Sequence, residues 1–197
     1  MYKNDLPKIK KFVLEEGISG MDRVFYFMLG SIRVKFLTLP SVTDSIVKEG
    51  ALSRHIWGNK ATAYKDYNRL DKIKLFEDVF DPAKSTIDLS RELTDIRGIG
   101  VTKSSFFLQL LGRDTACLDV HNLKKLGFHH KKFAKKDIET AKQYHKTVNE
   151  KGAAFWWDSW CGTIFDGYSE YFESPEQISN LHLEIISGQV TDNFKKV

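Results

Sequence analysis

Two glycines, Gly98 and Gly100, lie in the run Leu93-Thr94-Asp95-Ile96-Arg97-Gly98-Ile99-Gly100-Val101-Thr102-Lys103-Ser104, and a carboxylate, Asp119, follows the second of them by nineteen residues. The run reads as helix, tight Gly-Ile-Gly turn, helix. Glycines so spaced let the backbone take positive φ and let its amides approach a ligand. The N–H groups that open the second helix, around Gly100 to Lys103, lack intrahelical partners and stand at the positive end of a dipole, which makes an anion site. A plain helix–helix turn uses glycine in the same way. Asp119 sits in Ala116-Cys117-Leu118-Asp119-Val120-His121-Asn122-Leu123, with Leu126 and the stop Gly127 beyond, and is expected to cap a short helix. Orphan amides there would hold the carboxylate ionised and oriented.

The charge is uneven. From His121 to Lys146 there are eight lysines (Lys124, Lys125, Lys131, Lys132, Lys135, Lys136, Lys142 and Lys146) against Asp137 and Glu139, whereas Phe165 to Phe194 holds six acids and no Lys or Arg. Either one side faces a polyanion, or the lysines solvate an exposed helix. Two cysteines, Cys117 and Cys161, cannot supply the four ligands of an iron–sulfur cluster or a zinc ribbon, and the six histidines are scattered except for His129-His130. Metal catalysis is therefore not expected, and no cofactor is required. No apolar stretch approaches the ~18 residues of a membrane span, because Phe25 to Leu29 is closed by Gly30 and Arg33. With no leader pattern, the expected setting is reducing and intracellular, in cytoplasm, nucleoid or nucleus.

The elements that must position these groups are helical. In 197 residues there are 13 glycines and 4 prolines, too few for the frequent turns of an all-β fold, and the 42% of hydrophobic residues suffice for a core. Asp22 precedes the run Val24, Phe25, Phe27, Met28; Pro40-Ser41 with Asp44 opens another helix. Thr86 leads into Leu89, Leu93 and Ile96 on one face, and Ser104, Phe107, Leu108 and Leu111 form the face of the next helix, closed by Gly112. Ser174-Pro175-Glu176-Gln177 combines an N-cap serine, a first-turn proline and a glutamine, and Gly188 ends the run holding Ile178, Leu181 and Ile185.

Hairpin and aspartate together resemble the helix-hairpin-helix DNA glycosylases, the HhH-GPD superfamily that includes endonuclease III, MutY and the 8-oxoguanine glycosylases. Leu118-Asp119-Val120-His121 is similar above all to the 8-oxoguanine branch, and the likeness covers roughly residues 89 to 127. It implies an all-α, two-lobed fold. The central lobe would span residues 21–118 and end in a hairpin at about 87–111; residues 1–20 plus 119–197 would form the second lobe, with the active cleft between. The implied activity is removal of a damaged or modified base, flipped from double-stranded DNA, by cleavage of its N-glycosidic bond. Asp119 would stabilise the oxocarbenium-like sugar or orient the attacking water. A monomer is expected.

The resemblance also assigns further residues. Bifunctional members carry a lysine two residues after the second hairpin glycine, where this chain has Thr102. Lys103 comes one place later, about 100° around a helix, so it is expected to point toward phosphate, and the enzyme to be monofunctional. A glycosylase/AP lyase using Lys103 is one alternative; a non-catalytic DNA-binding module, with Asp119 only a cap, is the other. Gly98, Gly100, Val101, Thr102, Lys103, His121 and Arg33 are the candidate DNA contacts. The carbonyls of Thr94, Ile96 and Ile99 match places where family members ligate a monovalent cation. Phe106 matches a pocket-lining position. Trp156 and Trp160, at i and i+4 of Phe155-Trp156-Trp157-Asp158-Ser159-Trp160, are candidates for the base pocket or for core, with Trp157 turned away. The stretch from Trp57-Gly58-Asn59-Lys60 through Tyr64, Tyr67 and Asn68 either touches unpaired bases or packs.

Overall fold

Apolar residues at three- and four-residue spacing bury one helix face after another. The computed structural model describes residues 5–190. Among the described residues there are eleven α-helices and no strand. They are α1 (Leu6–Glu16), α2 (Ile18–Gly30), α3 (Leu39–Glu49), α4 (Asn59–Tyr67), α5 (Lys72–Phe80), α6 (Thr86–Leu93), α7 (Val101–Leu110), α8 (Val120–Lys125), α9 (Ile138–Asn149), α10 (Ala153–Gly167) and α11 (Pro175–Ser187). Residues 1–4 and 191–197, the ends of the expected second lobe and of the acidic stretch, lie outside the described residues.

Helix α7 is the pivot. Val101 and every residue from Ser104 to Leu110 are buried, the pattern of a helix enclosed on all sides. It packs on α1, α2, α6 and α9. Small residues let α6 approach: the Ser90 hydroxyl lies 2.9 Å from that of Ser104 and 3.2 Å from that of Ser105, so buried polar atoms satisfy one another at the crossing.

The apolar packing divides into two clusters. The larger draws on α1 to α7, α10 and α11, with Ile9, Phe25, Phe107, Trp157 and Ile185 at its centre. The smaller consists of Val101, Ala116, Leu118, Leu123, Phe133, Tyr144, Val148 and Trp156. Helices α1 and α11 bury their apolar faces with the central helices, and Val101, Ala116 and Leu118 join α8 and α9.

Helix α2 starts at Ile18 instead of after Asp22. Gly20 permits this, since a Cβ there would lie 3.0 Å from the Val13 Cα on α1. Asp22 is consequently interior to the helix, where it accepts from the Tyr67 hydroxyl at 2.8 Å and pairs with the Lys72 ammonium at 2.6 Å. At α11 the proline and the left-handed Gly188 stand where the sequence puts them, but Ser174 makes no side-chain cap; Gln177 Oε1 instead accepts from the Glu173 amide at 2.7 Å.

Candidate active site

Asp119 is placed by its neighbours on both sides. As the N-cap of α8 its Oδ1 accepts from the His121 and Asn122 amides, both at 3.0 Å. The extended segment before it is pinned by three buried polar side chains. Gln109 Oε1 accepts from the Cys117 amide at 3.0 Å, Asn122 Nδ2 donates to the Cys117 carbonyl at 2.9 Å, and the Tyr144 hydroxyl accepts from the Leu118 amide while donating to the Ala116 carbonyl, both at 2.7 Å. A buried backbone group left unpaired is costly, so this segment has one favoured path. Sequence reasoning missed all three residues. The signal was there in Gln109, a lone amide inside the apolar run Phe106 to Leu111.

Asp119 opens onto a cleft of about 440 Å³ whose lining includes Lys103, Cys117, His121, Phe36, Trp160 and Tyr168. Lys103 therefore shares the cleft with the aspartate, contrary to the expectation that it turns away toward phosphate. Its ammonium lies over the Phe106 ring, 5.4 Å from the centroid. Thr102 is the residue that stays out of the cleft lining, close to Tyr144 of the smaller cluster. The rotation of α7 is fixed by burial of Val101 in that cluster, and it brings position 103, not 102, to the cleft. Cys117 is no competing nucleophile, because burial pushes its thiol up to about 12.

Between α6 and α7 the chain turns at Gly98-Ile99-Gly100, and the two glycines have different roles. Gly98 has φ +87°, and a Cβ on it would meet the Asn59 carbonyl oxygen at 2.9 Å, so it seats the turn on α4. Arg97 fastens the same contact, its Nε and Nη2 lying 2.8 and 2.7 Å from the two oxygens of Asp66. That guanidinium holds the Asp66 carboxyl down at about 2. Gly100 is extended, not left-handed, and nothing lies within 4 Å of the place its Cβ would take. The anion-facing amides are fewer than expected: those of Lys103 and Ser104 close on the Gly100 carbonyl at 3.0 Å. The Val101 side chain is buried and so is not open to a ligand.

The carbonyls assigned to a monovalent cation do not present a free cradle. Lys136 Nζ donates to the Thr94 oxygen at 2.6 Å and reaches the Ile96 oxygen at 3.5 Å. The Ile99 carbonyl is not one of its acceptors. Residues and cation do not fit, because an ammonium of the chain already stands between two of the three oxygens. Among the described residues no group of three or more His, Cys, Asp or Glu is arranged to hold a metal ion, and no helix is long and apolar enough to cross a membrane.

The aromatic candidates separate. Trp160 lines the cleft. Phe106 is buried behind it, ring centroids 5.0 Å apart. Trp156 leaves the pocket altogether: it lies in the smaller cluster and donates Nε1–H to the Val148 carbonyl at 3.2 Å. Trp157 is the nearer neighbour of Trp160, at 5.5 Å, in the larger cluster. Helix α10 thus wedges between the two clusters, with adjacent tryptophans in different ones. Phe36 and Tyr168, which the sequence did not single out, add two further aromatic rings to the lining, 6.3 Å apart between centroids. His182 lies fully buried among Phe27, Phe36, Trp157 and Trp160.

Arg33 lies outside the cleft. It has φ +56° and borders a second cavity with Trp57, Asn59, Lys60 and Gly98, beside the hairpin. Lys60 donates to the Gly30 carbonyl at 3.3 Å, and its pKa is lowered by burial and then by nearby Lys103. The basic segment is split in use: Lys125 binds Ser159 and Thr163 of α10 and Lys142 pairs with Glu139, while Lys131, Lys132 and Lys135 are exposed.

Set against protein-family models, curated proteins and solved structures, the chain matches none.

Proposed function

We propose that the protein is a two-lobed DNA glycosylase of the helix-hairpin-helix kind, which takes a damaged or modified base out of duplex DNA and breaks its N-glycosidic bond. One observation carries the reading: Asp119, Lys103 and the aromatic ring of Trp160 line a single cleft, and the glycine hairpin is continuous with the helix that bears Lys103. A base flipped from the stack needs an aromatic-walled pocket, and the sugar it leaves needs a carboxylate and a nucleophile.

The shared cleft favours Lys103 as that nucleophile over the water-based route. The free amine forms a bond to C1′ as the C1′–N bond breaks; the electron pair leaves with the base, which takes up the proton that the new C1′-bound ammonium gives up. The C1′–O4′ bond then breaks, its electron pair passing to O4′, which is protonated by water, and the nitrogen lone pair closes the C=N bond of a protonated imine. The Asp119 carboxylate offsets the positive charge on the sugar, and the lysine first loses its proton to water. A second reading, hydrolysis by water with Asp119 alone, is favoured by the resting contact of the Lys103 ammonium with the Phe106 face, which holds the amine against protein.

The experiment is to incubate the protein with labelled duplexes carrying oxidised purine, damaged pyrimidine or alkylated base, and develop each with and without hot alkali. Strand breaks that need no alkali support the amine route, and breaks only after alkali support water. No base release from any duplex would leave a non-catalytic DNA-binding module.

A further inference from the structure

The Lys136 ammonium stands at the C-terminal end of α6, on carbonyls that belong to the hairpin itself. Thr94 is the C-cap of α6 and is 1% exposed; its oxygen is 2.6 Å from Lys136 Nζ, with that of Ile96 at 3.5 Å. The Thr94 oxygen carries the negative end of the α6 dipole, and the Ile96 oxygen, in the turn beyond, also accepts from the Ile99 amide at 3.1 Å. Without the ammonium both would present negative partial charge to a polyanion seated on the neighbouring Gly100 turn. An ammonium is a compact, hard charge with three donors, so it answers carbonyl oxygens much as a small inorganic cation does.

We infer that Lys136 is the hairpin's resident cation, supplied by the chain itself, and that the hairpin's hold on DNA is therefore indifferent to which monovalent ion is in solution. The physical reason is tethering. Lys136 lies in the connection leading to α9, whose first residues are fixed by the Asp137 cap on the Thr140 amide at 2.7 Å, and a group held so close competes at high effective concentration against any free ion. The contact also ties the basic segment to the hairpin across forty-two residues of sequence. The inference rests on the reading of the hairpin as a DNA grip.

The test has two arms, each run in sodium, potassium and tetramethylammonium chloride at equal ionic strength. In the first, thermal unfolding is followed without DNA. The wild type should have one midpoint in all three salts. Lys136→Met, which keeps the aliphatic stem, should have a lower midpoint that potassium raises and tetramethylammonium, too large for the cradle, does not. In the second, affinity for an undamaged duplex is measured. The wild type should bind equally in the three salts, and Lys136→Met should bind about threefold or more weakly, with a preference for the small ions. Lys135→Met, one residue away, should show neither effect. Should Lys136→Met not fold, Lys136→Arg, which retains charge without the ammonium's shape, takes its place.

A several-fold loss of wild-type affinity in tetramethylammonium overturns the inference, as does Lys136→Met behaving like Lys135→Met in both arms. If the wild type binds no duplex in any salt, the DNA reading fails and this role with it, while the unfolding arm separately reports whether Lys136 holds the carbonyls.

Discussion

Tyr144 meets Leu118 across twenty-six residues of sequence, its hydroxyl 2.7 Å from the Leu118 amide, one residue before the candidate catalytic aspartate. The same oxygen donates to the Ala116 carbonyl at 2.7 Å, so one side chain satisfies two backbone groups of the segment that delivers Asp119. Tyr144→Phe leaves both groups buried without a partner. It should cost about 1–3 kcal/mol in urea unfolding and lower turnover more than DNA affinity.

Asp119→Asn keeps the shape of the cap and loses the charge. Base release should fall about a hundredfold or more, with duplex affinity and helicity nearly unchanged. Excision within a few fold of wild type would remove Asp119 from the chemistry.

Lys103→Met should abolish borohydride trapping of the protein on DNA, and Lys35→Met, at the one other lysine among the described residues that line the cleft, should leave it unchanged. Thr102→Lys should not restore it. Position 102 does not line the cleft and lies close to Tyr144, so the new ammonium would stand beside the smaller cluster, and the variant should be destabilised.

The two hairpin glycines should respond differently to alanine. Gly98→Ala combines a left-handed φ with a clash on the Asn59 backbone, and should lower stability by about 1 kcal/mol or more. Gly100→Ala meets open space; its unfolding midpoint should stay near wild type while duplex affinity drops, since the methyl group would face the DNA.

Acid should destabilise the fold through His182. Its Nδ1 lies 2.6 Å from the Ile178 carbonyl, its Nε2 has no hydrogen-bond partner among the described residues, and burial lowers its pKa to about 4. The unfolded chain protonates this imidazole near 6.5, so between about 6.5 and 4 the unfolded state holds more protons than the folded one. Stability is greatest above 6.5 and falls as pH drops through that window. Urea midpoints measured from pH 7 to pH 4 should decline, and His182→Phe should flatten part of the slope.

Much of the local structure was legible in the sequence because its causes are short-range. The Gly-Ile-Gly turn, the cap at Asp119, the stop at Gly127 and the proline start of α11 each depend on residues within a turn or two, and each stands where the sequence puts it. The start of α2 is one exception, beside the uncapped Ser174 and the extended Gly100, and its reason is non-local: Asp22 looks like a cap but is taken by Tyr67 and Lys72.

What tertiary structure alone decided is which side chains share a space. Rotation about α7 is set by the apolar surfaces on either side of it, so periodicity placed Thr102 and Lys103 100° apart without saying which of them would face Asp119. The same holds for α10, where Trp156 and Trp157 part into separate clusters because the helix is buried on two faces. Lys136 on Thr94 and Tyr144 on Leu118 join residues far apart in the chain. No pattern of neighbouring residues encodes such pairs; they arise when helices that each bury an apolar face are packed together and the buried polar groups between them must find partners.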